Sequence, residues 1–150
     1  MLNDQKFYTP QQVSYMFDTS DVINRRVYDA LALLPKEVVD FVYKKCAIVT
    51  KEEEDGSHWN LDSELFKDKT ELIILNSHIW DFEWPKTVLI IAHEVAHAFL
   101  GHKTRSDQGK DRPQELAADE QAVTWLSAHW EREALLKLCY YLNSKIKKPV

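Results

Sequence analysis

His93, Glu94 and His97 are the residues whose types and spacing most directly imply chemistry. They stand in the run His93-Glu94-Val95-Ala96-His97, a match to the pattern HExxH. A helical turn takes about 3.6 residues, so two histidines four apart share one face. Two imidazoles on one face can grip a single metal ion. Glu94 is adjacent to the first and can reach a water on that ion. A zinc there acidifies the water, and the glutamate takes its proton. The surroundings are apolar, with Val88 to Ala92 before the motif and Ala98, Phe99 and Leu100 after it. Histidine and glutamate are poor choices inside such a helix unless something compensates them.

A catalytic zinc takes three protein ligands and keeps one position open for water. The run Pro113-Gln114-Glu115-Leu116-Ala117-Ala118-Asp119 offers the third. Pro113 suits the first turn of a helix. Glu115 and Asp119 then lie on one face, and Ala117, Ala118 and Ala122 allow close packing against the first helix. Glu115 is the candidate ligand. Asp119 is the candidate acceptor for the second ring proton of a ligand histidine, His93 foremost. The competing reading is an ordinary acidic helix start. The HExxHxxGxxH pattern of other zinc peptidases does not apply, because the position six residues after His97 is Lys103. His102, five residues on, is expected to cap the helix C-terminus.

HExxH followed by ExxxD on the next helix resembles the gluzincin branch of the zincin metallopeptidases. The local sequence His93-Glu-Val-Ala-His97-Ala-Phe-Leu-Gly-His102, then Glu115-x-x-Ala-Asp119-x-x-Ala122, is more closely similar to the ImmA/IrrE family. These are small proteases of bacteria, phages and mobile elements that typically cut a repressor. The resemblance runs over about residues 71 to 126. It implies an α+β, zincin-like minimal metallopeptidase fold, in one domain spanning residues 1–150. In that fold a small antiparallel or mixed sheet sets an edge strand over the active-site helix, and N- and C-terminal helices pack around it. It also implies Zn2+ as cofactor and a protein or peptide substrate, a repressor or other regulator being the candidate. Many family members carry Asn where Asp119 stands, and many add a helix-turn-helix that is not legible here. Gluzincins often add a Tyr or His donor for the developing oxyanion. His78, His129, Tyr140 and Tyr141 are the candidates.

Positioning elements follow from patterning. Thr9-Pro10 opens a first expected helix through Phe17, and Ser20 or Asp21 caps a second. Pro35 starts a third, through about Lys45. Cys46 to Thr50 reads as a strand, Lys51 to Gly56 as a solvated acidic turn, Ser57 to Leu61 as a returning strand, and Leu65 to Asp68 as a turn. The best strand is Glu71 to Asn76. Leu72, Ile73, Ile74, Leu75 and Asn76 are therefore the candidate substrate-binding residues, since an extended peptide can add to an exposed edge. Aromatics at Trp80, Phe82 and Trp84 belong either to the core or to a groove wall. Pro85 opens the helix that carries HExxH. His102 to Arg112 reads as a polar connector between the ligand helices, and a last helix begins near Glu131.

Composition narrows the classes. A chain of 150 residues with 45% hydrophobic and 29% charged residues suits one soluble globular domain. A net charge of -5 argues against direct nucleic-acid binding, which wants a basic excess. Cys46 and Cys139, the two cysteines, are expected as buried thiols. No apolar run approaches about 18 residues, so no membrane span is expected. The N-terminus lacks a signal-peptide pattern, and the expected compartment is cytoplasmic. Two alternatives stay open: a zinc-binding regulatory or partner-binding protein of the same fold without proteolysis, and a structural metal site closed by a fourth protein ligand.

Overall fold

The computed structural model describes residues 17–18, 21–51, 70–102 and 112–147. Among these the order is β1 (Phe17–Asp18), α1 (Asp21–Leu31), α2 (Lys36–Lys45), β2 (Cys46–Lys51), β3 (Glu71–Asn76), a 3-10 helix (Ser77–Asp81), α3 (Trp84–Phe99), α4 (Arg112–Leu126) and α5 (Arg132–Lys147). The result is a helix-rich α+β arrangement with a small sheet. The helix expected over residues 9–16, the acidic turn, the strand at 57–61, the turn at 65–68 and the connector at 103–111 lie outside the described residues.

Two expectations are corrected. The sheet is parallel among the described residues, not antiparallel or mixed. Its order is β1-β2-β3, with Phe17 beside Ile48 and Ile48 beside Ile73. The cause is the connections. The chain leaves β1, runs through α1 and α2, and returns in β2, a crossover that delivers parallel strands. Residues 52–70 between β2 and β3 are also long enough for a crossover. The second correction is Phe17, expected as the end of a helix, which pairs with β2 as a strand residue.

The strands show why they form. In β3, Ile73 and Leu75 are buried while Ile74 and Asn76 are exposed, the two-residue alternation of a half-covered strand. In β2, Cys46, Ala47 and Ile48 are all buried, as befits a strand with neighbours on both sides.

Helix α3 is the central element, packing on β3, the 3-10 helix, α1, α2 and α4. Pro85 lies in its first turn, as its missing N–H permits. Its start is anchored by Thr87, a buried residue whose Oγ1 donates to the Ile79 carbonyl at 2.6 Å. The 3-10 helix is in turn capped by Asn76, whose Oδ1 accepts the His78 amide at 2.8 Å. Val88, Leu89, Ile91, Ala92, Val95 and Ala96 are buried. Such a helix is enclosed on nearly every side. The partly exposed stripe includes His93, Glu94 and His97.

Helix α4 packs on α3, and helical spacing puts Ala118 and Ala122 on the side that carries Glu115 and Asp119. Ala118 and Ala122 are fully buried, and the missing bulk lets the helices approach closely. Overpacking a filled core costs about 1–3 kcal/mol. Ala122→Leu is therefore expected to destabilise the chain by that amount, measured by urea unfolding. It should also weaken metal binding, because it wedges the two helices apart.

Candidate metal centre

The stripe on α3 meets a carboxylate pair on α4. Glu115 and Asp119 sit one turn apart on α4, and both reach His93. The Nε2 of His93 lies 3.1 Å from the Nε2 of His97. Glu115 closes the triangle, its Oε1 3.1 Å from His93 Nε2 and its Oε2 3.1 Å from His97 Nε2. These three residues form a group whose ligand atoms lie within 4.8 Å of one another. A tetrahedral ion with bonds of about 2.0–2.1 Å would hold its donors about 3.3 Å apart. The triangle fits that requirement, with two imidazole nitrogens and one carboxylate as donors. His93, His97 and Glu115 keep 13%, 20% and 19% of their side-chain surface exposed, so solvent can reach the cluster. The group could hold a metal ion.

The far nitrogens of both imidazoles are also engaged. His93 Nδ1 donates to Asp119 Oδ1 at 2.8 Å, the role expected for Asp119. His97 Nδ1 lies 2.9 Å from the Nδ1 of His102. His102, expected at the helix C-terminus as a cap, follows that end and sets its ring against His97. Sequence reasoning missed this contact, and its one signal was a histidine directly after Gly101.

The electrostatics match the crowding. Burial by itself lowers the pKa of His93, but hydrogen bonds to Asp119 and Glu115, and the charge of Glu94, outweigh it. The net effect is a rise from 6.5 to about 9. Glu94 lies on the same partly exposed stripe, near enough for its charge to act on His93. Behind Asp119 stands Cys139 of α5. Burial, then the charge of Asp119 and a hydrogen bond to it, push this thiol up to about 12. Cys46 and Cys139 are both buried free thiols, as expected.

Other expected site residues fall elsewhere. The side chains of Ile73 and Leu75 are buried, with 4% and 1% exposure, so any substrate contact there would run through their backbone. Leu72 is half-buried, and Ile74 and Asn76 face outward, with Asn76 committed to its cap. β3 does stand at the end of the strand order. Of the candidate oxyanion donors, His129 donates from Nε2 to the Leu33 carbonyl at 3.1 Å, at the α1–α2 junction. The Tyr141 ring lies 4.6 Å from Lys86 Nζ, Tyr140 is largely exposed, and His78 is exposed beside its cap. None of the four belongs to the metal-ligand group. Among the described residues no helix is long and apolar enough to cross a membrane.

Comparison with models of known families, with curated proteins and with solved structures finds no match.

The triangle predicts that Glu115→Ala removes a donor the two histidines cannot replace. Purified wild-type protein, reloaded with zinc and dialysed, is expected to hold about one ion per chain by elemental analysis. The variant is expected to bind more than about 100-fold more weakly, a larger loss than removal of an outer partner gives. Equal metal content in the two would place the third ligand elsewhere.

Proposed function

We propose that this chain is a zinc-dependent metallopeptidase of the gluzincin type, similar to the ImmA/IrrE proteases. The observation that carries the reading is the His93–His97–Glu115 triangle, backed by Asp119 on the Nδ1 of His93. Two histidines and one carboxylate are the ligand set of one well-known class of hydrolytic zinc site, which keeps a fourth position for water or substrate.

His93, His97 and Glu115 would hold the zinc. When bound, zinc supplies a Lewis acid that polarises a peptide carbonyl and lowers the pKa of a water to about 7. Asp119 keeps the proton of His93 on Nδ1, so that Nε2 offers a lone pair. Glu94 follows His93 on the solvent-reaching stripe of α3. Its carboxylate takes the proton of the attacking water and returns it to the nitrogen of the leaving amine. The substrate class is a protein or peptide, with a repressor or other regulator as the candidate. Among the described residues β3 stands at the end of the strand order, and its backbone would offer groups to which an extended segment can add, with Leu72 and Ile74 as flanking side chains.

The test is cleavage of a complex peptide mixture by the zinc-loaded full chain, with new termini identified by mass spectrometry. Wild-type protein is expected to generate new termini. Glu94→Gln is expected to keep the metal and to lower turnover by about 10²–10⁴-fold, the usual worth of a general base. Undiminished cleavage by Glu94→Gln would remove Glu94 from that role. Intact peptides after incubation with the loaded wild type would contradict the peptidase reading.

A further inference from the structure

The C-terminal end of α3 is built in a way that the peptidase motif does not require. Leu100 is the C-cap, and Gly101 follows with φ of 74°. The Gly101 amide donates to the Ala98 carbonyl at 3.1 Å, and the His102 amide to the His97 carbonyl at 2.9 Å. These are the two bonds of a Schellman motif, in which a residue in the left-handed region reverses the chain over the last helical turn. Gly101 carries that conformation without the strain a Cβ would bring. The reversal returns the next residue to the turn that holds His97. The His102 ring sits 5.1 Å from that of His97, centroid to centroid, at 65°. Their Nδ1 atoms are 2.9 Å apart.

We propose that His102 is the positioning residue of His97, as Asp119 is of His93, and that the Gly101 turn exists to place it. This inference rests on the reading of His93, His97 and Glu115 as a metal centre. A histidine that ligates through Nε2 must carry its proton on Nδ1. His97 Nδ1–H then needs an acceptor, and among the described residues the lone pair on His102 Nδ1 is at hydrogen-bonding distance. That bond fixes both the tautomer and the ring orientation of His97. It also decides what His102 is not. Its Nδ1 sits behind His97, on the nitrogen facing away from the triangle, so His102 does not close the site as a fourth ligand.

The choice of an imidazole over a second carboxylate has a physical consequence. Glu94, Glu115 and Asp119 already place three carboxylates around the centre. An imidazole on His97 orients the ligand without adding a fourth negative charge.

The test uses cobalt(II), whose visible absorption reports the geometry of its ligands, titrated into metal-free full-length protein. Wild type is expected to bind one ion per chain with an absorption typical of low coordination number. His102→Ala is expected to bind about 10–100-fold more weakly, with a shifted spectrum. His102→Asn offers a carbonyl oxygen near the position of Nδ1, and should recover most of the affinity and the wild-type spectrum. His102→Phe keeps ring and bulk without an acceptor. It should behave like His102→Ala, which separates hydrogen bonding from packing and serves if the Ala variant fails to fold. Wild-type affinity and spectrum in both His102→Ala and His102→Phe would overturn the proposal. So would a loss in the Asn variant equal to that in the Phe variant. A failure of wild type to bind cobalt, or binding unaffected by Glu115→Ala, would instead overturn the metal centre itself.

Discussion

The structure depends on the close approach of α3 and α4. Helix α3 is enclosed by the sheet and by its neighbouring helices, and it carries two imidazoles and a carboxylate in that setting. Taking such groups from water costs several kcal/mol each unless they find partners. Partners for both imidazoles come from α4, where the fully buried Ala118 and Ala122 put little bulk between the packed elements. Glu115 and Asp119 then both fall on His93, and Glu115 also on His97. The small side chains and the polar cluster are thus two halves of one constraint. Without the alanines the carboxylates would stand off, and without the carboxylates the histidines would be a liability in the core.

The same constraint raises the pKa of His93: hydrogen bonds to Asp119 and Glu115 and the charge of Glu94 outweigh the effect of its burial. A divalent ion would place a larger positive charge among the same carboxylates. Asp119 holds one imidazole from behind, and a thiol, Cys139, in turn lies against Asp119.

Much of this was legible in the sequence, for identifiable reasons. HExxH and ExxxD are helical spacings, and a helix converts spacing into faces without help from the rest of the fold. Capping signals at Pro35, Pro85 and Pro113 likewise act locally, and the strand at Glu71 to Asn76 is marked by its own side chains. What escaped depends on distant parts of the chain. Strand direction is set by connections, not by strand composition, so an apolar run at Cys46 to Lys51 could not reveal that its neighbours run parallel. Phe17 sits in a helical-looking context but is claimed by the edge of β2. Ile73 and Leu75 were attractive as edge-strand residues, yet alternation turns them into the core and leaves only Leu72, Ile74 and Asn76 on the other face. The contact of the His102 ring with His97 follows from a backbone reversal at Gly101, and spacing alone does not contain that reversal.

The central claim concerns one ion and three ligands, and X-ray absorption at the zinc edge of the loaded, full-length protein tests it most directly. The account predicts a shell of light atoms at about 2.0–2.1 Å, with multiple scattering from two imidazoles and no sulfur. That would mean His93, His97 and Glu115 around an ion that keeps room for water. A signal from three imidazoles would bring His102 into the ligand shell and make the site a closed one. Sulfur neighbours, or a protein that takes up no zinc, would contradict the account outright.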